Sequence, residues 1–125
     1  MAKGTNQKLK LLYLAQILLE ETDEEHGISM PTIIERLAEL DISADRKTLY
    51  SGLEELRRFG IDVIGEQRDK RFLYHVASRE FELAELKLLV DSVQAAKFIT
   101  EKKSHALIKK LERLASTHEA KQLQR

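Results

Sequence analysis

The sequence predicts a mainly α-helical chain with one small β-hairpin: a helix-turn-helix that leads into the hairpin, then a C-terminal helical hairpin. Three observations carry this expectation. Apolar residues recur at three- and four-residue spacing in five segments, at 7–22, 31–40 and 43–60, from Phe81, and again from Thr100. β-Branched and aromatic residues crowd Ile61–Ile64 and Arg71–Val76. Pro31 and Gly60 fall at helix ends, where each is tolerated best.

Residues 7–22 form the first helix, with Leu11, Leu14, Ala15 and Leu18 on one stripe and Leu12, Ile17 and Leu19 widening it. So broad an apolar face predicts more than one neighbour. The acidic run at 20–27, EETDEEHG, then ends the helix as a solvated loop. Ser29-Met30-Pro31 starts a second helix, because a proline in the first turn gives up no intrahelical hydrogen bond. Its apolar side is Ile33, Ile34, Leu37 and Leu40.

Asp41-Ile42-Ser43 is a tight joint to the third helix, which makes the pair a helix-turn-helix. In that third helix Leu49, Leu53 and Leu56 share a face with Phe59 close by, Ser43 is the expected N-cap, and Asp45 suits the dipole of the first turn. Glu54 and Arg58 are spaced as an i,i+4 pair. The strands at 61–64 and 71–76 are joined by a loop over 65–70, and a two-stranded ribbon must lie against helices to persist.

After a boundary at Ala77–Glu80, Leu86, Leu89, Val90 and Val93 line a fourth helix. Thr100 caps a fifth, whose seam is Leu107, Ile108, Leu111, Leu114 and Ala115. The last eight residues, HEAKQLQR, have little to bury. Two domains are therefore expected, at 1–77 and 78–125.

Composition limits the functions open to such a chain. The 125 residues are enough for a core without covalent staples, and the absence of cysteine excludes disulfides and thiolate metal sites. The cations Lys3, Lys8 and Lys10 before the run Leu11–Leu19 invite a signal-peptide reading. That run is too short to span a bilayer and enters an acidic cluster with no cleavage pattern, so a soluble cytoplasmic protein with no membrane partner is expected. The four histidines never reach metal-ligand spacing, and no phosphate loop or nucleophile elbow occurs; no catalytic residue, metal or cofactor is expected.

Net charge is zero, with 12 Lys+Arg against 15 Asp+Glu in residues 1–80 and 9 against 6 beyond. Any surface for nucleic acid must be a local patch on a neutral body, and one copy should bind poorly at physiological salt. The third helix offers such a patch opposite its leucines. Glu54 and Glu55 would repel phosphate in its later turns, so contact is expected from Arg46, Lys47, Thr48, Tyr50 and Ser51, early residues of the kind that reach base edges. Arg68, Lys70 and Arg71 add three cations at or beside the hairpin tip. With few phosphate contacts per copy, tethering two copies through Leu107, Ile108, Leu111 and Leu114 would raise affinity without new contacts, so a homodimer is expected.

The segment LAELDISADRKTLYSGLEELRRFGIDV, then a hairpin, then ASREFELAELKLLVDSVQAAKFITEKKS, resembles the N-terminal part of WYL-domain transcriptional regulators, which are similar to the DeoR-type winged helix-turn-helix group. The resemblance covers nearly the whole chain and is strongest in DRKTLY and FELAELKLLVD. It implies a winged helix-turn-helix followed by a C-terminal helical hairpin, a recognition helix in the major groove of double-stranded DNA, and a hairpin wing on the backbone. It also implies a linker to a ligand-sensing WYL domain. The chain ends about where that domain would begin, so no effector ligand is expected for this segment. Where relatives often read Tyr-Arg-Asp, this chain has Tyr50-Ser51-Gly52, and Gly52 costs about 1 kcal/mol of helix propensity against alanine. The competing expectation is a winged-helix protein–protein interaction module without DNA binding, which the neutral charge and Glu54-Glu55 favour.

Overall fold

The computed structural model describes residues 7–77 and 79–123. Lys3, Ser78 within the expected boundary, and the terminal Gln124 and Arg125 lie outside the described residues. The chain divides into two compact units, Met1–Ser78 and Arg79–Arg125. It is mainly helical with a small three-stranded antiparallel sheet. Among the described residues no helix is long and apolar enough to cross a membrane.

In the first unit a 3-10 turn at Gln7–Leu9 enters α1, Lys10–Glu21. Leu14, Ile17 and Leu18 are buried, whereas Leu11, Leu12 and Leu19 are exposed, so the broad apolar face meets the core along one stripe only. β1 is two residues, Ile28–Ser29, and α2 follows at once as Met30–Glu39. Ser29 caps α2 by accepting from the Thr32 N–H at 3.3 Å, with Pro31 in the first turn where it breaks no bond. α3 is Arg46–Phe59, and Leu49, Leu53 and Leu56 seat it in the core.

Several expectations here are corrected. Phe59 is 84% exposed, because at helical spacing it falls to the side of the face shared by Leu49, Leu53 and Leu56 and so points away from the core. Gly60 takes φ +122° and Ile61 N–H reaches back 3.0 Å to the Leu56 carbonyl, a turn that suits glycine. The N-cap of α3 is Asp45, not Ser43. Ile42, expected only as part of the joint, is buried: Asp41 adopts φ +61° and drops Ile42 into the core beside Leu37, whose carbonyl accepts its N–H at 2.9 Å.

The ribbon is also larger than expected. β2, Val63–Arg68, and β3, Arg71–Val76, pair in continuous register from Val63↔Val76 to Arg68↔Arg71, and β1 adds a third strand through Ile28↔Tyr74 and Ser29↔Leu73. The anticipated loop at 65–70 is therefore strand up to Arg68, and the turn is Asp69-Lys70, with Asp69 in the left-handed region that Asp tolerates. Gly65, a poor strand former, survives because the rings of Phe72 and Tyr74 lie over it. A Cβ there would sit 2.8 and 2.9 Å from ring atoms of Phe72 and Tyr74.

The acidic run is not simply solvated. Thr22 and Asp23 are buried, whereas Glu20, Glu24 and Glu25 are exposed. Asp23 Oδ1 accepts from the N–H groups of Glu25 and His26, each at 2.9 Å, and meets His26 Nδ1 at 2.8 Å, so one carboxylate organises the turn. The Thr22 hydroxyl donates to the Leu18 carbonyl at 2.6 Å and accepts from the Val76 N–H at 3.0 Å, joining the end of α1 to β3. Thr22→Val keeps the shape but leaves the buried Val76 N–H without that acceptor. It is expected to destabilise the unit by about 1–3 kcal/mol. A denaturation midpoint equal to the parent's would show that this hydrogen bond contributes nothing net.

The second unit holds α4, Leu83–Ala95, α5, Glu101–Glu112, and α6, Thr117–Leu123. Leu86, Val90, Ala115 and Leu123 form its core, with Phe81, Leu83, Ile108 and Leu111 packed around them. Leu89 stays exposed rather than joining the stripe. Thr100 caps α5, accepting from the Lys103 N–H at 3.2 Å. The expected two-helix hairpin is thus three helices. HEAKQLQR does bury something: Leu123 is 2% exposed. The cause is a capping box, Ser116-Thr117-His118-Glu119, in which Ser116 Oγ accepts from Glu119 N–H at 3.1 Å and restarts the helix.

Candidate nucleic-acid interface

The first turn of α3 is fixed from below by its cap. The Asp45 carboxylate accepts from the Thr48 N–H at 2.8 Å and the Thr48 hydroxyl at 3.0 Å. Those two bonds, backbone first, hold the Asp45 carboxyl below its ordinary range, so the cap is charged at neutral pH. Thr48, an expected DNA contact, has its hydroxyl engaged in this cap. Arg46, Lys47, Tyr50 and Ser51 are all exposed on the same helix. Among the described residues no ion pair holds Arg46 or Lys47.

The later turns behave differently. Glu54 pairs with Arg57, not with the expected Arg58, and Arg57 Nε also donates to the Val63 carbonyl at 2.7 Å, tying α3 to β2. The propensity cost of Gly52 has a packing reason. A Cβ there would stand 3.1 Å from Leu14 Cδ2, so the missing side chain lets α1 and α3 approach closely. Beside that contact the Gln7 amide donates to the Ser43 carbonyl at 2.8 Å and accepts from its N–H at 3.2 Å. Lys8 and Lys10 line a groove there of about 230 Å³ with Thr48 and Gly52. Nothing in the helical spacing places these two lysines beside α3.

At the hairpin the three expected cations part company. Arg68 is turned inward: it pairs with Glu66 at 2.6 Å, donates to the Glu24 carbonyl at 2.8 Å, and stands 3.3 Å from the buried His75 Nδ1. Lys70 in the turn and Arg71 at the start of β3 are exposed, and no ion pair holds either among the described residues.

Arg71 and α3 meet across an open cleft of about 600 Å³. Its walls are Ser29, Met30 and Pro31 from the start of α2, Arg46 and Tyr50 from α3, and Arg71, Phe72 and Tyr74 from β3. Phe72 and Tyr74 pack edge to face, centroids 5.3 Å apart. Burial first, then Tyr50, raises the Tyr74 phenol above its ordinary value, so it is neutral and able to donate. Of the expected contacts, the cleft brings Arg46, Tyr50 and Arg71 together; Lys47 and Ser51 lie alongside on α3, and Arg68 is not part of it. The aromatic wall was missed. The alternation in Arg71-Phe72-Leu73-Tyr74 held the signal, because Phe72 and Tyr74 share a strand face.

In the second unit the four expected interface residues also divide. Ile108 and Leu111 pack against the unit's own core, whereas Leu107 and Leu114 are exposed. Among the described residues no group of three or more His, Cys, Asp or Glu side chains is placed to hold a metal ion. No family model, no curated protein and no solved structure matches the chain.

Proposed function

We propose that this chain is the sequence-specific DNA-binding module of a bacterial-type transcriptional regulator, a winged helix-turn-helix of the DeoR-like kind related to WYL-domain regulators, acting in the cytoplasm without catalysis. In this reading α3 enters the major groove by its first two turns, and the β2–β3 hairpin is the wing on the backbone. One observation supports it most. Among the described residues, Arg46 and Lys47 on α3 and Lys70 and Arg71 on the hairpin are exposed cations outside any ion pair, as is Arg58 at the far end of α3, whereas Arg36, Arg57 and Arg68 in the same unit are each paired with a glutamate. Cations left unneutralised beside one cleft suit phosphate.

The test is retention of the purified chain on double-stranded DNA as salt rises. Binding at low salt that falls steeply by about 200 mM is the expected result, because a neutral body with a few phosphate contacts relies on counterion release. No retention at low salt would favour the second reading, a protein-interaction module. That alternative draws on exposed apolar residues such as Leu12 and Phe59.

The homodimer belongs to the same proposal. Of the four expected interface residues, Leu107 on α5 and Leu114 in the turn that follows α5, each 39% exposed, are the two left free to meet a second copy. Leu107→Asp with Leu114→Asp is expected to give a folded monomer by light scattering. A dimer surviving both changes moves the interface elsewhere, with the exposed Leu12 and Leu19 of α1 next in line.

A further inference from the structure

The cleft between α2, α3 and β3 contains more than a backbone-binding surface needs. Of its eight lining residues three are aromatic, two are arginines, and none is a carboxylate. Its volume lies within the range of small-molecule sites, which is roughly 300–1,000 Å³. Phe72 and Tyr50 are each 49% exposed, so flat ring surface faces the opening, while Tyr74 beneath is 6% exposed and braces Phe72 edge-on. Phe72 is also held from across the hairpin, since its ring covers Gly65 where any side chain would displace it. The α2 terminus is a wall rather than an anion site: Pro31 has no N–H, and the Thr32 N–H is already bonded to Ser29.

We propose that this cleft binds a single nucleotide unit, with the base stacked on Phe72 beside Tyr50 and its phosphate held between Arg46 and Arg71. Stacking needs only a π-face and a rigid platform, and guanidinium groups supply fork-shaped donors for phosphate oxygens. The Tyr74 hydroxyl, at the floor, is engaged with Tyr50 and helps fix the aromatic wall. The same chemistry is presented by a free mononucleotide and by an unpaired nucleotide within a DNA strand. The site shares Arg46, Tyr50 and Arg71 with the surface proposed for duplex DNA, but it requires Phe72, which a phosphate-only contact does not.

The full-length chain has three tyrosines and no tryptophan, so tyrosine fluorescence, checked by calorimetry, reports on the cleft. The probes are thymidine 5′-monophosphate, thymidine, inorganic phosphate and a short oligothymidylate. Saturable binding of the monophosphate or the oligothymidylate is expected, with thymidine and phosphate each weaker. Binding by the monophosphate assigns a free nucleotide, and binding by the oligothymidylate alone assigns a strand. Phe72→Leu keeps apolar bulk without the flat face and should weaken the bound probe by about five- to a hundredfold. Arg71→Gln should weaken the monophosphate towards the level of thymidine. No saturable binding by either nucleotide probe overturns the proposal, as does a Phe72→Leu variant of parental affinity. Duplex retention that persists while both probes fail sinks this proposal alone; probe binding without duplex retention sinks the duplex reading alone.

Discussion

Arg46→Ala combined with Lys47→Ala is expected to weaken duplex binding by about thirtyfold or more, since a side chain that reads a base contributes roughly 1–3 kcal/mol. The two residues stand at the start of α3 beside the charged Asp45 cap and, among the described residues, neither is held in an ion pair. Arg58→Ala supplies the comparison. It removes one positive charge from the exposed last turn of the same helix, where Glu54 and Glu55 precede it. If a general positive field were responsible, Arg58→Ala should weaken binding about as much as either single change in the first turn. If the first turn is the contact, Arg58→Ala leaves the isotherm nearly unmoved. An isotherm insensitive to Arg46 and Lys47 removes the recognition-helix assignment outright.

Leu53→Ala is expected to cost the first unit about 2–5 kcal/mol. Leu53 is 1% exposed, midway along the helix between Leu49 and Leu56, and truncation there leaves a cavity under the centre of α3. Since domains are stable by only about 5–15 kcal/mol, that is a large share of the total. Urea unfolding of the full chain gives the measurement, read as a lowered midpoint for the transition that carries the first unit at unchanged slope. A loss below about 1 kcal/mol would mean that the site collapses around the gap, or that α3 draws little from this leucine.

Segments of the chain differ in how far the sequence alone discloses them. Leu49, Leu53 and Leu56 were legible because helical spacing leaves only one face on which they can agree. Ser29-Met30-Pro31 and Thr100 were legible because caps act locally. The strand through Gly65–Arg68 was not, because its residues have low β-propensity and its pairing is decided by β3, whose rings cover the glycine. Thr22 and Asp23 looked like part of a wet acidic run. Their roles depend on carbonyls and N–H groups of segments that only the fold brings near. Ser116 to Glu119 is a different lesson, since the capping box stood in the sequence and the short α6 could have been read from it.

The candidate site was half legible. Arg46, Tyr50 and Arg71 follow from helix faces and cation placement, and they meet at the cleft. Arg68 could not be assigned without knowing that Glu66 shares its strand face and that the Glu24 carbonyl lies in reach. The aromatic wall was within reach, because Phe72 and Tyr74 alternate in the expected strand at 71–76, but that α2 and α3 face it is visible only in the fold.

The two-residue strand β1 has a consequence for how the first unit is held together. Ile28 pairs with Tyr74 although α2, α3 and β2 lie between them in sequence, so β1 closes a long loop that contains the helix pair. The β2–β3 hairpin is local and can form on a timescale of roughly 1–10 μs, whereas the β1–β3 pairing carries the larger entropic cost of closing that loop. Because β1 runs directly into α2 and pairs with β3, it ties the α2 wall of the cleft to the β3 wall.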